Sequence, residues 1–283
     1  MTKWISPIPQ NVHLILIGNN DFPDYFSYFL KSFEKYFDGF EIKIWQNKDL
    51  NKKNFPITFK YIQKAKKLQG KQMIDQDGYK MFNKEMEPLT YSKWAQITDL
   101  MRLEIIYNIG GYYFDTTFEI LKPMFNLLNK KNKRFVGCNE VPRFKKHNIL
   151  SNSFFGATKG NPILKRLLSK DKLNNIDFYD QAVDFQTGPG YLRSGIRLND
   201  NYHIFPTKYF YPFVEEYEKG VDPPYRKSAK NKCHNYSKKK KTKMKKLKSK
   251  KGYIKFPCDK YPMSYALKHW QLGKSWLISE YYT

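Results

Sequence analysis

Acidic residues are scarce in this chain: 26 Asp and Glu stand against 51 Lys and Arg in 283 residues, a formal net charge of +25. Such a surplus would ordinarily point to nucleic acid or an anionic surface. Its distribution argues against that for the body of the chain. The stretch from Arg226 to Lys255 holds fifteen of the Lys and Arg and no acid, so +10 is spread over the other 253 residues. Cysteine is nearly absent as well. Cys138, Cys233 and Cys258 form neither a close pair nor a metal-ligand spacing, which excludes a disulfide framework and points to unpaired thiols in a reducing compartment. No run approaches the ~18–20 apolar residues of a membrane span, and the opening MTKWISPIPQNVHLILIGNN carries no cleavage pattern of a signal peptide. A soluble, cytoplasmic protein is the expectation.

Aromatic residues, by contrast, are abundant at 17%. With this length they suit one large packed domain over residues 1–283. The lysine-rich tract, 226–255, is read as an insertion within it. The tract has too few apolar residues to bury itself and its like charges repel, so it is expected to be disordered, with an anionic surface as the partner it would suit.

The organising stretch is SKWAQITDLMRLEIIYNIGGYYFDTTFE, Ser92 to Glu119. From Trp94 to Tyr107 it is apolar on nearly every side, which predicts a buried helix. Asp99 and Arg102 interrupt that run three positions apart, on one face, where buried charges need partners. Gly110 and Gly111 end the helix, and Tyr112 to Phe118 reads as a buried strand. Asp115 and Glu119 lie at its far end, expected on the same side of one strand. A buried strand ending in acids after a helix carrying an acid and a base is a place to grip a charged ligand.

Around it, Val12 to Ile17 reads as a buried strand that turns at Gly18, Tyr25 to Tyr36 as a helix and Phe40 to Trp45 as a second strand. Together they predict a right-handed crossover and a parallel sheet. His13 on the first strand reads as a core histidine. Ile57 to Ile62 reads as a short strand and Lys64 to Glu87 as loop with short helices. Phe125 to Leu128 starts a helix, Arg134 to Cys138 is a strand, Ile163 to Leu168 a helix, His203 to Phe205 a late strand and Tyr209 to Tyr217 an aromatic loop.

Ser/Thr-Asp-x-x-Arg on a helix followed by Gly-Gly-x-Tyr-x-Asp-x-x-x-Glu resembles the DXD-motif sugar-binding region of retaining GT-A glycosyltransferases. The likeness is to the family 32 group in particular, which is related to the glucosylating clostridial toxins. Ile8, Pro9, His13 and Gly18 match the family's first strand, with Leu16 where a tryptophan stacks on the base in related toxins. Asn152 to Ala157 with Pro162, the turn Gln186-Thr187-Gly188-Pro189-Gly190, and the closing Tyr265 to Trp270 with Ser275-Trp276 match further family segments.

The resemblance implies a GT-A type α/β fold, a nucleotide-binding, mainly parallel mixed central sheet flanked by helices. It implies a nucleotide-sugar donor, with a UDP- or GDP-sugar transferred to a glycan, protein or other hydroxyl acceptor with retention of configuration, and Mn²⁺ or Mg²⁺ as cofactor. It also implies donor contacts from Leu16, Gly18, Asp99, Arg102, Tyr113, Asp115, Thr117, Asn152, Gly188 and Trp276. In those enzymes the metal position would fall to Asp115, Thr117 and His269. The catalytic set would be Asp99, Arg102 and Asp115, with Asp184 as nucleophile if a double displacement operates. Thr117 replaces the second aspartate of the motif, which removes a full charge from a usual metal ligand. Glu119 is the nearest acid that could assist. Two other readings compete: a degenerate member that binds sugar nucleotide or glycan without turnover, suggested by Leu16 and Thr117, and a nucleic-acid-binding protein, suggested by the net charge.

Overall fold

Strand β1 (Asn11–Leu16) is buried along four consecutive residues, as a strand covered on both faces must be. In this computed structural model, which describes residues 3–17, 24–67, 91–140, 149–176, 183–212 and 262–268, it lies inside a six-stranded sheet. Helix α1 (Asp24–Tyr36) carries the chain to β2 (Glu41–Gln46), which pairs parallel to β1 along its whole length. On the other side β1 pairs parallel with β3 (Gly111–Phe114). β6 (Ile149–Ala157) then runs antiparallel between β3 and β5 (Phe135–Glu140), and β7 (Tyr202–Phe205) closes the edge parallel to β5. The order is β2-β1-β3-β6-β5-β7. Five strands run one way and β6 the other, so the fold is mixed α/β with a mainly parallel sheet.

Each face of the sheet carries its own core. One packs Ile97, Leu100, Met101, Leu103, Ile105 and Ile106 of α3 (Tyr91–Ile109) against the sheet, with α5 (Pro162–Leu167) and α8 (Pro189–Ser194) beside it. The second lies under α1 and α4 (Phe125–Leu128) and is aromatic, with Phe33, Phe37, Phe114 and Phe154 among its members. Between α5 and α8 run the short helices α6 (Lys170–Asn174) and α7 (Val183–Gln186). The residues expected in the late helices and strands fall within a few positions of α4, β5, α5 and β7.

Helix α3 hands over to β3 through Gly110 and Gly111, with φ of +81° and +109°. A Cβ on Gly111 would stand 2.5 Å from the carbonyl oxygen of Asn11. Only glycine lets β3 start against β1 at this point.

Two expectations fail. Ile57 to Ile62 is part of helix α2 (Pro56–Lys67), whose proline stands at the first helical position. The helix therefore runs past Lys64, and the rest of the expected loop falls in 68–90, outside the described residues. Glu104 of α3 supplies the cap. It accepts from the backbone of Ile57 and Thr58 at 2.9 Å each and from the Thr58 hydroxyl at 2.8 Å, a long-range contact that no local pattern contains. Nor is Tyr112 to Phe118 one strand. β3 ends at Phe114, a turn closed by the Phe118 amide on the Asp115 carbonyl at 3.1 Å intervenes, and β4 (Phe118–Ile120) pairs antiparallel with β8 (Ala266–Lys268) in a second sheet. Asp115 and Glu119 thus belong to different elements. The tract 226–255 lies outside the described residues, and none of the described helices is long and apolar enough to cross a membrane.

Candidate functional site

The turn between β3 and β4 brings Asp115 to the helix that precedes it. The Asp115 amide donates to the Ser153 carbonyl of β6 at 2.9 Å, which fixes the turn on the sheet. Its carboxylate then meets three partners. The Tyr113 hydroxyl donates to Oδ1 at 2.6 Å, the Arg102 guanidinium stands 3.3 Å from the same oxygen, and the Lys268 ammonium of β8 binds Oδ2. Burial alone would raise the pKa of this acid. Lys268 and Arg102, with the hydrogen bonds from Lys268 and Tyr113, outweigh that and hold it at about 2. The carboxylate is ionised at any physiological pH.

Arg102 is the hinge of the cluster. Its Nη2 stands 3.1 Å from Asp99 Oδ1, its Nη1 donates to the Asn152 carbonyl at 2.8 Å and its Nε to the Thr98 carbonyl at 3.2 Å. The guanidinium Cζ lies over the Tyr113 ring, 4.5 Å from its centroid, a cation–π contact. Tyr113 itself is buried, which pushes its phenol well above the usual range, so it is a donor to Asp115 and never a phenolate near neutral pH.

Asp99, one turn earlier on α3, is held from two further elements. Asn152 Nδ2 of β6 donates to Oδ1 at 2.8 Å and the Thr187 hydroxyl to Oδ2 at 2.9 Å. Thr187 follows α7, and Gly188 is the cap of α8, with Pro189 at its first position. The Thr-Gly-Pro turn therefore caps a helix and also reaches the cluster. Asn152 likewise sits within a strand, in neither a turn nor a loop.

Of the residues expected to act together, the structure unites Asp99, Arg102, Tyr113, Asp115 and Asn152. Leu16 is the last residue of β1 and is half-buried. Asp184 lies on α7. Gly18, His269 and Trp276 fall outside the described residues. Glu119, on β4, is buried. Sequence reasoning missed Lys268 and Thr187 as members. Both lie in segments already singled out, the closing Tyr265–Trp270 run and the Thr-Gly-Pro turn, but nothing in either motif says which side chain turns inward. His13 behaves as expected of a core residue. Its Nε2–H donates to the Gly110 carbonyl at 2.9 Å while Nδ1 accepts from the Trp45 indole at 3.3 Å.

A divalent cation is a poor fit to the described side chains. Cations of this kind need several open oxygen ligands. Asp115 offers one carboxylate, with both oxygens already bound by Arg102, Tyr113 and Lys268. Thr117 is 4% exposed, and its hydroxyl is buried without a hydrogen-bond partner. Among the described residues no group of three or more His, Cys, Asp or Glu is placed to hold a metal.

Residues 23–135 match the family described as the glycosyltransferase sugar-binding region containing the DXD motif, a match that covers less than half of the chain. No curated protein matches it. Among solved structures it is similar to the PaToxG glycosyltransferase, with 16% identity over 66% of this chain and 68% of that one and a TM-score of 0.45. It is similar also to a glycosyltransferase involved in glycosylating the major capsid of PBCV-1, with 12% identity over 75% and 91% of the two chains and a TM-score of 0.39. Mouse xyloside xylosyltransferase 1 matches with 9% identity over 69% and 72%, at a TM-score of 0.37. At these scores none of the three fixes a fold or a substrate.

Proposed function

We propose that this chain is a glycosyltransferase of the GT-A type that takes a hexosyl group from a UDP- or GDP-sugar and passes it to a hydroxyl of a glycan or protein with retention of configuration. The observation that carries this reading is the buried cluster of Asp99, Arg102 and Asp115, which falls within the segment matched by the DXD-motif family.

Breaking the bond between sugar and diphosphate puts negative charge on the leaving group, and catalysis of that step rests on fixed positive charge and donors aimed at it. Arg102 suits the task because its orientation is set beforehand. Asp99, Asp115 and the carbonyls of Thr98 and Asn152 hold it, so little reorganisation accompanies the reaction. Asp115, ionised and partly open, is an acceptor for a hydroxyl of the sugar, and Asp99 fixes Arg102 behind it. The leaving phosphate can itself deprotonate the incoming acceptor on the same face, a course that retains configuration and needs no nucleophile from the protein. Asp184, on the short helix before Thr187, is the candidate if a covalent intermediate forms instead.

Release of nucleoside diphosphate from a panel of UDP- and GDP-sugars tests the proposal. One donor should be turned over, and Arg102→Ala and Asp115→Ala should each abolish turnover in protein that circular dichroism shows to be folded. Near-normal release by Asp115→Ala would overturn it. Asp184→Ala separates the two courses, because only a double displacement needs that carboxylate. A second reading, a binding protein without turnover, has Thr117 in its favour. It predicts that UDP or GDP binds and no donor is consumed.

A further inference from the structure

The motif's second carboxylate is missing, and a lysine from the far end of the chain is bonded to the first. Lys268 lies on β8 opposite Phe118 of β4. Its ammonium binds Asp115 Oδ2 and stands 5.3 Å from the Phe118 ring centroid. Its side chain is 6% exposed and that of Asp115 23%. The carboxylate is thus the open edge of the cluster, with two buried cations, Lys268 and Arg102, bonded to it.

Charge accounting links these facts. Two aspartates with a divalent cation between them form a neutral set. One aspartate with one ammonium is neutral too. Replacing the second aspartate by Thr117 and the metal by Lys268 therefore leaves the local charge where a metal-holding site would have it. The alternative, a divalent cation added to the present residues, would put excess positive charge beside Lys268 and Arg102 and would have to displace Lys268 from Asp115. Like charges that close in a low-dielectric site repel strongly.

We propose that Lys268 supplies, at Asp115, the positive charge that a divalent metal supplies in a DXD site, so that the nucleoside diphosphate part of the donor binds without a divalent cation. The proposal rests on the glycosyltransferase reading above. The cluster is neutral as it stands, with Asp99 and Asp115 balancing Arg102 and Lys268, so a diphosphate arriving at the open edge of Asp115 brings the negative charge that the Lys268 ammonium can answer. The ammonium can also turn from Asp115 to a phosphate oxygen and exchange one charge-assisted hydrogen bond for another.

Calorimetric titration of the full chain with UDP and with GDP, in chelator and then in excess Mn²⁺, tests this. One of the two nucleotides should bind in chelator, and Mn²⁺ should change its Kd by no more than about twofold. Lys268→Gln should weaken binding in chelator by about tenfold or more, the scale of one lost charge-assisted bond. Lys268→Arg should recover most of that loss. In Lys268→Gln the freed Asp115 oxygen should let Mn²⁺ restore part of the binding, a response the parent lacks. Melting temperatures accompany each variant. A pair that only holds the fold together would lower the melting temperature of Lys268→Gln and leave the Kd of the folded fraction unchanged, which overturns the proposal. Binding by the parent in Mn²⁺ alone overturns it also, and leaves the glycosyltransferase reading standing. Failure of folded parent protein to bind either nucleotide, with or without metal, overturns that reading as well.

Discussion

Arg102 shows how much one side chain can be asked to carry. Its three nitrogens address two carboxylates and two main-chain carbonyls at once, a demand that the planar guanidinium meets and an ammonium cannot. Arg102→Lys keeps the charge but loses the fork, so donor turnover should fall about 100-fold, on the scale of two lost charge-assisted bonds, while the protein stays folded. Comparing kcat/KM with the melting temperature of the variant checks both halves. His13 makes a different prediction. Burial, assisted by Lys43 and opposed by the bond to Gly110, lowers its pKa from 6.5 to about 4. The folded protein resists a proton that the unfolded chain accepts, so its contribution is complete above pH 6.5 and is lost as pH falls toward 4. The loss amounts to about 3 kcal/mol. Asp115, held at about 2 against an ordinary 3.8, contributes above 3.8 and fails only below it, so it cannot account for a decline between pH 7 and 4. His203 shifts in the same direction as His13 but is less buried. Urea unfolding across pH 7 to 4 should show the decline, and His13→Gln should remove the larger part of it.

At the scale of elements, α2 is held by a carboxylate from another helix. Glu104 satisfies two of the backbone donors that a helix start leaves open. Glu104→Gln can keep its oxygen on the two Thr58 donors but then turns an N–H₂ toward the Ile57 amide. It should cost about 1–3 kcal/mol in urea unfolding. That same contact explains why the segment does not read as a helix from its own residues. Ile57 to Ile62 has an apolar spacing short enough for a strand, and what makes it a helix is the cap from a residue 46 or 47 positions away. The central helix was legible because it is apolar all round, and its end because Gly110 and Gly111 leave no other choice. The split between β3 and β4 was not. Tyr112 to Phe118 is aromatic and β-branched throughout, and the break at Asp115 exists because Phe118 to Ile120 has β8 to pair with. Asp99, Arg102 and Asp115 stood out as charges in an apolar run. Thr187 and Lys268 did not, since a threonine in a turn and a lysine in a lysine-rich chain carry no such contrast.

For the molecule as a whole, the residue that closes the site, Lys268, follows shortly after the charged tract in sequence. The Asp115–Lys268 contact joins residues 153 positions apart, and the chain between them passes through 226–255. Among the described residues, the segment carrying Lys268 draws its backbone contacts from β4, Leu121, Tyr209 and Phe210. Replacing 226–255 by a flexible Gly/Ser linker removes fifteen positive charges and no acid. The shortened protein should keep its nucleotide affinity and its melting temperature. Its retention on heparin should fall sharply, and the remaining retention should vary less steeply with salt, because each cation that contacts a polyanion adds to the salt dependence. Unchanged retention would assign the anionic interaction to the body of the molecule and revive the nucleic-acid reading for it. Loss of nucleotide binding along with retention would mean that β8, and Lys268 with it, depends on the tract for its place, and that the charge serves the site as well as any surface.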